Sequence, residues 1–138
     1  MDINNEMVQA SFDGDIEKVR SLIEIGINID AMGEIWNPLH AAIENMRIEV
    51  VKYLLDEGAD LEYICLGMRP LHHSIDIEMD VATQANASEC SEPIFTQMLV
   101  EAGADFDGLD DEGKTPLQTA RERGHKKAEI LLQSRGAA

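Results

Sequence analysis

A proline-led start and a glycine-led stop recur along this chain at one period, and that recurrence narrows the fold more than any other feature. Pro38-Leu39-His40 and Pro70-Leu71-His72 begin 32 residues apart, and Gly26 and Gly58 are also 32 apart. Thr115-Pro116-Leu117 and Gly103-Ala104-Asp105 continue the series. Pro116 lies 46 residues after Pro70, about 13 more than a period of ~33. Proline suits the first turn of a helix, where its missing N–H had no partner. Glycine after the last apolar residue suits a left-handed C-cap. Between these marks Leu39, Ala42 and Ile43 recur at helical spacing, then Val50, Val51, Leu54 and Leu55 do so again. Neither helix is long enough to stand alone. Each pair must bury its stripe against the next pair, so the stack itself is the core. Aromatic residues are only 4%, so Leu, Ile, Val, Ala and Met must fill that core.

Asn37-Pro38-Leu39-His40-Ala41-Ala42, then Val50-Val51-Lys52-Tyr53-Leu54-Leu55, then Gly58-Ala59-Asp60 recur in order and in register. In this the chain resembles ankyrin repeat proteins over nearly its whole length. The resemblance implies an all-α ankyrin-repeat solenoid of about four helix-turn-helix repeats with short β-hairpin fingers. One domain is expected over 1–138, with repeats about 1–32, 33–66, 67–107 and 108–138. The first unit aligns from Asn5 to Asp30 with Gly14-Asp15 in place of the usual Gly-His, as in a degenerate cap repeat.

The third unit holds extra residues near 80–91. Ile75, Met79 and Ala82 share a face and lengthen the first helix, after which Thr83 to Ser91 lose periodicity. Ser91-Glu92-Pro93 reads as a helix start with Ser91 as N-cap. Ile94, Met98 and Leu99 then form the buried stripe of the second helix. Such an insertion either serves binding or is a tolerated surface loop.

Two fingers also depart from the family pattern. Met32-Gly33-Glu34-Ile35-Trp36 and Tyr63-Ile64-Cys65-Leu66-Gly67-Met68 are apolar where polar residues are usual, whereas Asp110-Asp111-Glu112-Gly113-Lys114 follows it. Since finger tips and first-helix faces line the concave surface of ankyrin stacks, Trp36, Tyr63, Leu66 and Met68 are expected to form an exposed apolar strip beside Glu34. Aromatics anchor interfaces and Met adapts to a partner's shape. The competing reading tucks Ile35 and Ile64 inward and leaves Trp36 covering the hairpin base.

No chemistry stands out. There is no Gly-x-Ser-x-Gly, Gly-rich phosphate loop or His-Glu-x-x-His, so an enzyme is not expected, nor a cofactor. His40 and His72 hold the motif position, where the family's imidazole satisfies turn backbone, and His125 follows a turn glycine. His73 falls on the face expected to point into the groove, near Asp76. Adjacent histidines on a helix diverge by about 100°, so no metal site is expected from His72, His73, Asp76 and Cys65. The two cysteines, Cys65 and Cys90, read as free thiols of a reducing compartment.

Twenty-seven Asp and Glu against eleven Lys and Arg give a net charge of −16. Phosphate backbones and anionic lipid are repelled, which excludes nucleic acid and membrane surfaces as partners. The N-terminal stretch has neither a basic nor an apolar signal region, and no apolar run reaches the ~18–20 residues that span a bilayer. A cytoplasmic protein, monomeric when free, is expected. Between Arg69 and Lys114 there is no Lys or Arg but eleven carboxylates. Asp76, Asp80, Asp110, Asp111 and Glu112 are therefore expected on an acidic binding face, which speeds encounter with a basic protein. Pro70 to Asp80 resembles small stand-alone bacterial ankyrin proteins of the toxin-immunity kind. That resemblance implies an inhibitor occluding a basic toxin. The alternatives are a scaffold or adaptor, or a stability factor for a partner enzyme.

Overall fold

A computed structural model describes residues 2–138. Among them are eight α-helices: α1 (Ile3–Asp13), α2 (Ile16–Glu24), α3 (Pro38–Glu44), α4 (Ile48–Asp56), α5 (Pro70–Gln84), α6 (Ile94–Glu101), α7 (Pro116–Arg123) and α8 (Lys126–Ser134). They form four helix-turn-helix pairs. The first helices of the pairs, α1, α3, α5 and α7, pack side by side as one layer, and α2, α4, α6 and α8 form a second layer behind them. Each helix touches its partner in the pair and its counterpart in the next pair, so the apolar seam runs continuously. Met7, Leu39, Ile43, Leu54, Leu71, Ile75, Phe95, Leu99, Leu117 and Leu132 are all buried in it.

Pro38, Pro70 and Pro116 begin α3, α5 and α7 as the sequence marks them. Asn37 accepts a hydrogen bond from His40 N, and Thr115 forms a capping box with Gln118. Gly14 and Gly124 end α1 and α7 in the left-handed conformation, φ 78° and 70°. After α3 that place is taken by Met46 (φ 57°) and after α5 by Asn86 (φ 58°). Asn tolerates this region; a bulky Met does so at a cost.

The insertion is half helix and half loop. Helix α5 has 15 residues against seven in α3 and eight in α7, so the chain stays helical to Gln84 and only then loops to Pro93. At 1.5 Å per residue α5 carries the loop about 22 Å from the finger at its start. The entry to α6 differs from expectation. Its N-cap is Pro93, with no side-chain cap bond of its own. Helix α6 is capped from outside, by Glu78 of α5, whose carboxylate accepts from Phe95 N at 2.9 Å and Thr96 N at 3.0 Å. Phe95 consequently takes the core position expected of Ile94, which is exposed, while Met98 is half-buried and Leu99 buried.

The fingers are single turns. One antiparallel bridge, Cys65–Met68, closes the second. The first is closed by Gly33 N donating to Trp36 O (2.9 Å) and the third by Asp110 N donating to Lys114 O (3.0 Å). Asp111 N donates to Gly67 O (3.0 Å), tying the third finger to the second.

Candidate protein-binding face

The fingers and the first-helix layer border two hollows. Leu66 and Gly67 form the tip of the second finger, with φ 49° and 79°. Two successive positive φ angles define the hairpin turn that Asn-Gly favours. Here its first position is a leucine that is 69% exposed. Ile35 is 53% and Ile64 47% exposed, so neither tucks inward. With Leu66, and with Leu109 just before the third finger, they are exposed apolar side chains on the finger segments. Of the four residues expected in an exposed strip, Leu66 is exposed, whereas Trp36, Tyr63 and Met68 are half-buried.

A hollow of about 270 Å³ lies between the second and third fingers and helices α5 and α7. It brings Leu66, Met68, Asp76, Asp110, Asp111 and Glu112 together. A second hollow of about 460 Å³ between α1 and the first finger is lined by Glu34, Ile35 and Trp36. Tyr63 borders neither, and its carbonyl accepts from His40 Nε2 at 2.6 Å.

The carboxylates expected on one face have different duties. Glu34, Asp111 and Glu112 are exposed. Asp110 is half-buried and holds its own turn, accepting from Glu112 N and Lys114 N at 2.9 Å each. Asp111 lies where a side chain at Gly67 would go. Asp76 and Asp80 are not free anions. Arg123 of α7 donates to both, at 2.7 Å each, and neutralises part of the charge that looks uncompensated in sequence. The insertion carboxylates Glu89 and Glu92 are exposed, but at the far end of α5. The carboxylates expected on one face thus include some paired with Arg123 and some holding their own turn.

His73 corrects the expectation that it points into the groove. It is only 1% exposed, turned into α3, where its Nε2 lies 2.8 Å from Glu44 Oε1 and its Nδ1 2.8 Å from His40 Nδ1. Trp36 stacks on it at 4.8 Å between ring centroids. His40 and His72 donate to finger carbonyls, Tyr63 O and Lys114 O.

Sequence reasoning missed a buried cluster. Glu78, Cys90 and His125 bring ligand atoms within 4.8 Å of one another. Each is already engaged. Glu78 accepts from Phe95 N, Thr96 N, Thr96 Oγ1 (2.6 Å) and His125 Nε2 (2.8 Å). His125 Nδ1 accepts from Ala128 N at the start of α8, so its proton resides on Nε2 and that nitrogen has no lone pair for a metal. The Cys90 thiol donates to Glu92 O, and burial, then the neighbouring Glu78, raise its pKa. This is a hydrogen-bonded staple joining α5, α6 and α8. Lys127 of α8 adds a bond to Ser91 O of the inserted loop. No helix among the described residues is long and apolar enough to cross a membrane.

A sequence profile of the family described as "Ankyrin repeats (3 copies)" matches residues 7–82. The E3 ubiquitin-protein ligase Ufd4 of Drosophila melanogaster is 33% identical over 129 residues, covering 88% of this chain and 4% of that protein. Human diacylglycerol kinase iota is 30% identical over 137 residues, 96% of this chain and 12% of that protein. Mouse ankyrin repeat domain-containing protein 40 is 40% identical over 53 residues, 37% and 15% respectively. The chain therefore spans a small fraction of the curated relatives it matches. Profile, helix-pair architecture and relatives agree: this chain is a protein-binding module, and it belongs to the ankyrin repeat family.

Proposed function

We propose that the chain is an acidic docking domain that holds a basic protein along its finger face. The observation that carries this reading is the exposure of Ile35, Ile64 and Leu66 on the fingers, with Glu34 beside Ile35 in one hollow and Asp111 and Glu112 beside Leu66 in the other. Apolar surface supplies affinity, and the carboxylates select against acidic partners and steer basic ones. Leu66 supports it further. Holding a non-glycine residue at φ 49° costs about 1–2 kcal/mol, and the side chain so held faces solvent. Strain of this kind clusters at ligand clamps. The finer form of the proposal is inhibition: the chain covers a basic toxin or effector, as an immunity protein does. The −16 charge favours that form. A second form, an adaptor segment, is favoured by the relatives, in which the matched stretch is a minor part of a longer protein.

The experiment is a binding titration of a synthetic peptide alternating Lys and Leu, with the wild type and with Leu66→Asn. Asn-Gly is the preferred pair for this turn, so the variant is expected to gain about 0.5–1 kcal/mol of stability. It is expected to lose about 10-fold in affinity, as an anchor residue does. Equal affinity in the two proteins removes the exposed finger residues from the proposal.

A further inference from the structure

We propose that His40 and His73 together carry one proton more than two neutral imidazoles, and that this buried cation, countered by Glu44, is a pH-sensitive latch holding Trp36 and the first finger against α5. Three short contacts run in series: Tyr63 O to His40 Nε2 at 2.6 Å, His40 Nδ1 to His73 Nδ1 at 2.8 Å, and His73 Nε2 to Glu44 Oε1 at 2.8 Å. Each needs one hydrogen. The carbonyl at one end and the carboxylate at the other only accept, and two neutral imidazoles bring two hydrogens. The third contact therefore requires an added proton.

That proton belongs to His73. His40 is held neutral, its pKa pushed down to about 3 by burial first and by the neighbouring His73 second. His40 then donates from Nε2 to Tyr63 and accepts at Nδ1, which leaves His73 donating from both nitrogens. Glu44 is the counter-ion. Its carboxylate lies 2.8 Å from His73 Nε2, and its side chain is 37% exposed. The other ionisable groups nearby are committed elsewhere: His72 to Lys114 O and Asp76 to Arg123.

Trp36 lies parallel to this cation, 9° and 4.8 Å from the His73 ring and 16° and 5.9 Å from that of His40. An indole face over a buried imidazolium gains a cation–π attraction in addition to stacking. Trp36 O also closes the first finger by accepting from Gly33 N, so the ring's position fixes that finger. Loss of the proton breaks one bond of the three and removes the charge beneath the indole. The latch is closed at low pH and opens as pH rises. Weaker docking at the first finger on opening rests on the function proposed above; the latch itself is tested in the free protein.

Two measurements on the unliganded chain decide it. Long-range nitrogen–proton NMR at pH 6 is expected to show both ring nitrogens of His73 protonated and His40 as the neutral Nε2–H tautomer. Trp36 is the single tryptophan, so its emission reports the stack. Because a protonated imidazole quenches indole, emission is expected to rise as pH is raised from 5 to 10. In Glu44→Gln, which removes an exposed countercharge and spares the core, the midpoint of that rise is expected to fall by about one pH unit. A singly protonated His73 at pH 6, or an unchanged midpoint in Glu44→Gln, overturns the proposal.

Discussion

Replacing Glu78 by Ala is expected to lower folding stability by about 3–5 kcal/mol, as breaking a buried charged network does. Glu78 is 5% exposed and accepts four hydrogen bonds, from Phe95 N, Thr96 N, Thr96 Oγ1 and His125 Nε2. Alanine removes the acceptor shared by two helix-start amides and an imidazole N–H at a site that is only 5% exposed. Each donor left unpaired costs about 1–3 kcal/mol. Thr96 Oγ1 keeps a partner in Ser74. Glutamine should recover part of the loss, because its carbonyl can still accept from both amides while its N–H₂ turns toward the His125 Nε2–H, which is itself a donor. Urea unfolding checks this: the midpoint should fall with an unchanged slope. A loss below ~1 kcal/mol in the alanine variant would show that α6 finds its cap elsewhere.

The second large effect is loss of stability in mild acid. His40 stays neutral in the fold until about pH 3, and burial also lowers the pKa of His72. In the unfolded chain both protonate near ~6.5. Below that pH the unfolded state binds more protons than the folded one, so stability falls as pH drops from 6.5 toward 3 and is unaffected by these groups above it. Relief of self-repulsion as the chain nears its pI of about 4.4 works in the opposite direction. His40→Gln separates the two, since a glutamine amide can donate to Tyr63 O without titrating. Its urea midpoint should fall less steeply between pH 6.5 and 4 than the wild type's. Parallel curves would mean that His40 does not stay neutral.

The parts of this molecule legible in sequence are those fixed by neighbours along the chain. Pro38, Pro70 and Pro116 start helices because a missing N–H matters only locally. Gly14 and Gly124 stop them because the left-handed backbone needs no distant partner. Met46 takes the same conformation without a glycine, and nothing in its neighbours announces it. The apolar fingers were visible, yet which side chains face outward was not. Trp36 is drawn back by two histidines from different repeats, which leaves Ile35 in the open. The helix that carries His73 points it toward the groove, but its partners on α3 decide where it turns. The acidic segment between Arg69 and Lys114 lost part of its charge to Arg123, which lies 47 residues beyond Asp76 in the chain. The cap of α6 escapes local reading for the same reason: Ser91 is adjacent, while Glu78 is 17 residues upstream of Phe95. Local rules placed the helices, and pairings between repeats placed the charges.

The central claim is that partners dock on the fingers, and an amide chemical-shift map of the chain with the Lys-Leu peptide tests it most directly. Shifts are predicted over residues 32–36, 63–68 and 109–114, weakening as salt rises because the finger carboxylates are screened. Shifts confined to the inserted loop at 85–93 or to the second helix layer, with the fingers silent, would contradict the account.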